Sequence, residues 1–240
     1  MKVAYFDCFS GIAGDMILGA LLDVGVPLNF LKDEIQKLRF SGYRIEMKKV
    51  EKMGITASDV TITCDEEQPH RSFEDITHLI DDSALDTDIK DRSIEIFLNL
   101  AQAESKVHNI EVKKVHFHEV GSVDSIIDIV GSVIGLKKLK IHEIFCSPLP
   151  LGSGFAVCQH GTIPVPAPAT VELLKGIPTY ALDSGHEMVT PTGAAIITSL
   201  CSQYGDMPPM DIEHVGYGAG KIKSAYPGVL KVVVGKKREK

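Results

Sequence analysis

The segment that organises this 240-residue chain extends from Val115 to Gly131 and reads Val-His-Phe-His-Glu-Val-Gly-Ser-Val-Asp-Ser-Ile-Ile-Asp-Ile-Val-Gly. Side chains alternate between the two faces of an extended backbone, so His116 and His118 are expected to point to one side. Beyond the His-Glu-Val-Gly portion, apolar residues recur at helical spacing and predict a helix. Asp124 and Asp128 stand one turn apart on another face of that helix, near its start, where the helix dipole favours negative charge.

Two interpretations of this segment remain open. Ser122 or Asp124 could simply cap the helix, with Asp128 in solvent and the histidines as ordinary polar neighbours. Alternatively, five nitrogen and oxygen donors within thirteen residues suit a divalent ion such as zinc, nickel, iron or manganese. Under the second interpretation Asp124 and Glu119 are also candidate catalytic groups.

A long helix is predicted just before this segment, from Asp88 to Val107. Glu104 falls on its apolar stripe, and His108 follows one turn later. A carboxylate that faces the interior needs a partner, so these two side chains are expected to pair and to point toward His116 as further metal ligands. If the helix instead frays before Asn109, both groups lie in water.

The N-terminal strand, loop and helix offer a second candidate site. Lys2 to Phe6 is predicted to be a buried strand, and Ser10, Gly11 and Gly14 lie in the turn that leads into a helix. Backbone amides at such a helix start can bind a ligand phosphate or carboxylate. The glycine spacing matches neither a dinucleotide-binding loop nor a P-loop, however, and Asp15 would oppose an anion. Asp15 could instead bind a cation or a ligand hydroxyl, act as a catalytic group, or only occupy the first helical turn.

Two other positions could hold a phosphate. Arg71 precedes a helix that is predicted from the capping-box pair Ser72 and Asp75, and an arginine there can grip a phosphate with two hydrogen bonds. A solvated surface arginine is the alternative. Near the C-terminus, Thr190 caps a helix with proline at its first position, which leaves amides near Thr192 for an anion.

Strands and helices alternate along most of the chain, which predicts an α/β fold with a mixed sheet and flanking helices. The segment from Pro148 to Gly154 is predicted to be a loop because it is rich in proline and glycine. Two closing strands, Asp211 to Val215 and Val229 to Val234, are predicted on either side of the glycine-rich run Gly216 to Gly220. The polar stretch 65–72 could divide two subdomains, unless the N-terminal strand joins the later sheet and makes one domain.

Composition limits the possible partners. The formal charge of −7 argues against a general nucleic-acid or membrane-surface binder. Five widely separated cysteines without a C-x-x-C pair predict reduced thiols, and Cys8 beside the first strand is more typical of a core residue than of a soft ligand. Without a secretory signal or a membrane-length apolar run, a cytoplasmic location is expected.

Five motifs together resemble the LarC family of nickel insertion proteins. They are the segments Phe6–Met16, Ala103–His108, Val115–Gly131, His160–Thr170 and Val189–Ala195. The resemblance implies an enzyme that inserts nickel into pyridinium-3,5-bisthiocarboxylic acid mononucleotide, forming carbon–nickel and sulfur–nickel bonds, with hydrolysis of CTP and a need for Mg or Mn. Its product would serve lactate racemase and related enzymes.

The resemblance also carries an expectation about the ends of the chain. Family members usually continue beyond the final strand into a second region that is associated with CTP. Residues 1–240 are therefore expected to be an N-terminal portion whose partner is that C-terminal region, and a homo-oligomer is a further candidate assembly. Alternative functions are a metal-dependent hydrolase that activates water, and a non-catalytic nickel-binding scaffold.

Overall fold

A computed structural model describes residues 1–64, 71–117, 120–158, 161–222 and 224–238. Its strands are β1 (Lys2–Asp7), β2 (Tyr43–Lys52), β3 (Ile55–Cys64), β4 (Arg71–Ser72), β5 (His116–Phe117), β6 (Glu143–Cys146), β7 (Leu149–Leu151), β8 (Phe155–Cys158), β9 (Gly161–Pro164), β10 (Thr179–Ala181), β11 (Gln203–Tyr204), β12 (Met210–Ala219) and β13 (Val229–Lys237). Its α-helices are α1 (Gly14–Asp23), α2 (Leu28–Ile35), α3 (Phe73–Asp81), α4 (Thr87–His108), α5 (Val123–Lys138), α6 (Pro168–Leu173) and α7 (Pro191–Leu200).

The central sheet has seven strands in the order β11-β6-β1-β13-β12-β3-β2. Strand β1 lies inside it, parallel to β6 and antiparallel to β13. The predicted α/β class with a mixed sheet is therefore confirmed. Strands from both sides of the stretch 65–72 belong to this one sheet; most of the stretch itself is outside the described residues, and the division into subdomains stays a prediction.

Helix α5 is the centre of the helical layer. Between residues 123 and 136, every position except Asp124 and Asp128 is buried. The helix packs against α1, α2, α4 and α7, which agrees with the rule that a helix apolar on nearly all sides is an interior one. Gly131 and Gly135 bring it close to α1, because a Cβ at these positions would lie 2.9 Å and 3.1 Å from the side chains of Leu18 and Leu21. The two aspartates share the one face that is left polar, as predicted.

Strand β12 extends beyond its predicted end at Val215 into the glycine-rich run. The strand continues through these glycines to Ala219 and pairs with β13 along its length. Helix α1 crosses the strand so closely that a Cβ at Gly218 would lie 1.8 Å from the Met16 carbonyl oxygen, and one at Gly216 would lie 2.7 Å from that of Ala20. The glycines therefore serve close helix–strand packing and not a turn.

The predicted loop from Pro148 to Gly154 is also partly wrong. Leu149–Leu151 forms strand β7, which pairs in parallel with β10 in a separate two-stranded sheet. Proline is tolerated there because a two-stranded sheet leaves one edge of each strand unpaired.

Other predictions are confirmed closely. The sequence predicts strands from Tyr43 to Val50 and from Ile55 to Thr63 that form a hairpin, and β2 and β3 are an antiparallel hairpin with continuous pairing. The capping box is present, with the Asp75 amide donating to Ser72 Oγ at 3.1 Å and the Ser72 amide donating to Asp75 Oδ2 at 2.8 Å. Thr190 caps α7 by accepting a 3.1 Å hydrogen bond from the Gly193 amide. Among the described helices, none is long and apolar enough to cross a membrane.

Candidate functional site

The starts of α1 and α7 lie side by side, and α5 reaches the same place. Ile12 bridges to Val189 in parallel, and a Cβ at Gly193 would lie 2.5 Å from the Ile12 carbonyl oxygen. A Cβ at Gly14, the first residue of α1, would lie 2.4 Å from Asp128 Oδ2 of α5. Two helix N-termini and the polar face of α5 are therefore in direct contact, with a cavity on either side of the α7 start.

The first of these, here called the histidine cavity, has a volume of about 160 Å³. It is lined by the last turn of α4, by β5, by the β8–β9 hairpin and by the starts of α6 and α7. Glu104, His108 and His116 all line it. His108 Nε2 lies 3.3 Å from Glu104 Oε2, and α4 continues to His108, with Asn109 in the left-handed conformation as its cap. The pairing of Glu104 with His108 is thus confirmed, and the fraying alternative is wrong.

Strand β5 positions His116 at the rim of this cavity. It pairs with β4, so that His116 is opposite Ser72 and Phe117 is opposite Arg71. Phe117 is buried, whereas His116 is exposed. The alternation between faces therefore holds for this short strand.

Arg71 supports the turn that leads into α5. Its Nη1 donates a 3.2 Å hydrogen bond to the Gly121 carbonyl oxygen. Burial holds the pKa of the Arg71 guanidinium below its usual value, although nearby Cys64 and Asp75 act in the opposite direction. This contact explains why an arginine stands here, while a phosphate-binding role for Arg71 stays a prediction.

The second cavity, here called the loop cavity, has a volume of about 200 Å³ and is lined by Ser10, Asp15, His186, Thr190 and Lys221, among others. Burial raises the pKa of Asp15 to about 6, even though the Lys221 ammonium and the Met16 amide lower it. Lys221 Nζ is 3.9 Å from Asp15 Oδ2 and also forms an ion pair with Asp59.

Asp128 completes a group of carboxylates around the start of α1. Its Oδ1 is buried and has no hydrogen-bond partner within the described part of the chain. Burial raises the pKa of Asp128 well above its ordinary value, and the charges of Asp15 and Asp124 raise it further. Asp124 itself is exposed in the first turn of α5. The surroundings of the Asp128 carboxyl group therefore favour either its protonated form or a neighbouring cation.

The small residues predicted to bind cofactor have structural contacts. Ser10 Oγ accepts a 2.8 Å hydrogen bond from the Gly228 amide. Gly11 has φ +97°, and a Cβ there would lie 2.2 Å from the Met188 carbonyl oxygen. Gly14 contacts Asp128 as described above, and Thr192 is buried. Their role toward a ligand is untested and stays a prediction.

The predicted set of metal ligands is brought together only in part. His118 and Glu119 lie outside the described residues, as does His160. Within the described ranges, no three histidine, cysteine, aspartate or glutamate side chains are grouped closely enough to hold a metal ion. Asp124 and Asp128 are not among the described residues that line the histidine cavity. The ligand assignment to Glu104, His108, His116, His118, Asp124 and Asp128 therefore stays a prediction.

Sequence reasoning missed three residues at these cavities. Lys221 lies far along the chain from Asp15, and His186 and Cys158 lie in segments without a recognisable motif of their own. Cys8, by contrast, is fully buried with its Sγ 3.6 Å from Cys146 Sγ, which agrees with the expected core position.

Comparison with known proteins gives the family. A family model described as nickel insertion protein matches residues 4–240. This chain belongs to the nickel insertion protein family. No solved structure matches it.

Curated relatives of this nickel insertion family member are similar over almost its whole length. It is 49% identical over 235 residues to a putative nickel insertion protein of Dictyoglomus thermophilum, covering 98% of this chain and 61% of the relative. A putative nickel insertion protein of Geotalea daltonii is 48% identical, covering 100% and 62%. The pyridinium-3,5-bisthiocarboxylic acid mononucleotide nickel insertion protein of Desulfitobacterium hafniense is 47% identical, covering 98% and 58%. The chain thus spans about three fifths of the length of these relatives.

Proposed function

We propose that this chain handles nickel during insertion of the metal into pyridinium-3,5-bisthiocarboxylic acid mononucleotide, which yields the nickel-pincer nucleotide cofactor. One observation carries the proposal: in a member of the nickel insertion family, Glu104, His108 and His116 come from two separate elements and line one cavity. Imidazole and carboxylate are ligands that nickel accepts. Nickel is cargo in this function, taken up by the histidine cavity and passed to the organic substrate.

Nickel insertion also needs a proton acceptor. When a carbon–nickel bond replaces a ring carbon–hydrogen bond, the ring loses a proton. Asp15 suits this task because its pKa of about 6 leaves it ionised at neutral pH yet more basic than an ordinary aspartate. Asp124, in the first turn of α5, and Glu119 are the other proposed acid–base groups.

The start of α1 is the proposed site for the substrate phosphate. Its N-cap, Ala13, provides no side-chain hydrogen bond, so a ligand oxygen could accept from the amides of the first turn. Gly11 and Gly14 let the Met188 carbonyl group and Asp128 approach this helix start closely, and Thr192 lies at the neighbouring helix start. Nearby carboxylates oppose an anion, and a proton on Asp128, whose pKa is raised well above its ordinary value by burial, would reduce that opposition.

Further steps are proposed for the longer family protein. These are dependence on CTP with Mg or Mn, the cooperation of a C-terminal region and the supply of cofactor to lactate racemase. This chain alone would then bind nickel without completing the reaction.

A metal-dependent phosphoesterase is the second candidate function, favoured by the carboxylates Asp15, Asp124 and Asp128. Hydrolysis of p-nitrophenyl phosphate with Mn or Zn would support it.

Nickel titration of the purified chain by calorimetry tests the proposal. A variant with both His108→Ala and His116→Ala should bind nickel about tenfold more weakly or worse, because even loss of a group that only supports a ligand has an effect of that order. The matched control is His214→Ala, an exposed histidine on β12, which should bind like wild type. Equal affinity and stoichiometry in all three proteins would rule out the histidine cavity as the nickel site.

A further inference from the structure

The histidine cavity has an unusual division of polar and apolar side chains. Its remaining lining residues include Val107, Val120 and Ile163, with the rest alanine or proline. Among its described lining residues, the polar side chains are Glu104, His108, His116 and Cys158 alone. All four are types that bind transition metals, and no hydroxyl, amide or lysine is present to suggest a general polar surface.

Cys158 faces this cavity because of its position in the hairpin. It is the last residue of β8 and pairs with Gly161 of β9. Along β8 the side chains alternate, so Phe155 and Val157 share one face and Cys158 belongs to the other. Phe155 and Val157 are 73% and 86% exposed, whereas Cys158 is only partly exposed.

This arrangement is the reverse of what packing alone favours. Burial of apolar surface would turn phenylalanine and valine inward, yet the hairpin exposes both and turns the cysteine toward the histidines. Nor is Cys158 a core cysteine like Cys8 or Cys146, which are fully buried. It forms no disulfide within the described chain. Its thiol is therefore reachable from the cavity and available for chemistry.

We propose that Cys158 is a sulfur ligand for nickel in the histidine cavity and that it makes the cavity prefer nickel to magnesium or manganese. The inference rests on the proposed nickel function and deepens it. Thiolate suits borderline and soft ions, whereas magnesium and manganese prefer oxygen ligands. On coordination the sulfur–hydrogen bond breaks, its proton passes to solvent and a sulfur–nickel bond forms, with no change in oxidation state. In the structure these four described side chains are not grouped closely enough to hold an ion together, so coordination requires them to rotate toward the centre of the cavity.

Spectroscopy of nickel-loaded protein tests the ligand directly. Wild type should show a thiolate-to-nickel charge-transfer band, and Cys158→Ser should lack it and bind nickel at least about tenfold more weakly. Excess magnesium or manganese should displace nickel from the variant more readily than from wild type. The matched control is Cys201→Ser, outside the cavity, where a hydroxyl can replace the thiol that donates to the Gln203 carbonyl oxygen at 3.1 Å.

Alkylation of the wild-type chain tests the same point without a substitution. Nickel should slow the reaction of iodoacetamide with Cys158, as measured by peptide mass spectrometry, and should leave the exposed Cys64 unaffected. Nickel binding that depends on His108 and His116, without a charge-transfer band or protection of Cys158, would overturn the sulfur ligand and leave the proposed function standing. Absence of nickel binding by wild type would overturn both.

Discussion

Replacement of Asp15 by asparagine should stabilise the protein at neutral pH. The carboxyl group is in the first turn of α1, its side chain is 20% exposed, and burial raises its pKa from 3.8 to about 6. In the unfolded chain the group ionises near its ordinary pKa. Between these two values the folded state binds more protons than the unfolded state, so the stability of wild type falls as pH rises through this window.

The magnitude follows from the size of that window. A shift of about two units corresponds to roughly 3 kcal/mol at pH 8, where both states are ionised. At pH 4.5 the same linkage gives only about 1 kcal/mol. Asparagine has a similar shape and carries no charge at either pH. Asp15→Asn should therefore raise the free energy of unfolding by about 3 kcal/mol at pH 8 and by about 1 kcal/mol at pH 4.5.

Urea denaturation of wild type and variant at the two pH values measures this difference. The control is Asp23→Asn. Burial raises the pKa of Asp23, but hydrogen bonds from Lys49, the Tyr217 amide and Ser58 outweigh burial and hold it below its ordinary value. That variant should be destabilised by about 1–2 kcal/mol at pH 8, because its contribution is present above the unfolded pKa. If Asp15→Asn gave no stabilisation at pH 8, or an equal gain at both pH values, ionisation of the Asp15 carboxyl group would not be what lowers the stability of wild type.

Two further predictions concern the scaffold. Gly218→Ala should destabilise the protein by about 3 kcal/mol or more, because the new methyl group would lie 1.8 Å from the Met16 carbonyl oxygen. Thermal unfolding measures the loss, and the milder control is Gly220→Ala, whose methyl group would lie no closer than 3.1 Å, from Met16 Sδ. Equal melting temperatures of the two variants would contradict the packing argument. Ser72→Ala should reduce the free energy of unfolding by about 1 kcal/mol, since the Asp75 amide loses its acceptor; an unchanged urea midpoint would show that the capping box adds nothing to stability.

The buried carboxyl groups of Asp15 and Asp128 link the stability predictions to the site. Proteins tolerate such groups where function needs them, and their replacement then raises stability while lowering activity. If Asp15 is the proton acceptor, Asp15→Asn should make this chain more stable, and the same substitution in the longer family protein should lower the rate of nickel insertion. A variant that is more stable and still fully active would show that Asp15 lowers stability without being the proton acceptor.

Local sequence patterns predicted those features that depend on residues within a few positions of one another. The helical spacing of the apolar residues predicted α5 and placed Asp124 and Asp128 on its one polar face. The pairing of Glu104 with His108 was predictable because one helical turn brings residues four apart into contact. The same holds for the capping box at Ser72, whose hydrogen bonds span three residues.

Tertiary structure alone decided which of these local features meet. The glycines at positions 216 and 218 lie beyond the predicted end of the strand, yet they belong to β12 because they pair with β13. Glycine is required there because α1 crosses at a distance that admits no Cβ. Cys158 reaches the cavity of His108 and His116 through the β8–β9 hairpin, and Lys221, just after the end of β12, lies beside Asp15. A single sequence determined most of the helices and strands and the kinds of donor available, because local periodicity and capping act between near neighbours. Close approach between distant elements depends on how the helices pack on the sheet, and that packing divides the candidate residues between two cavities beside the α7 start.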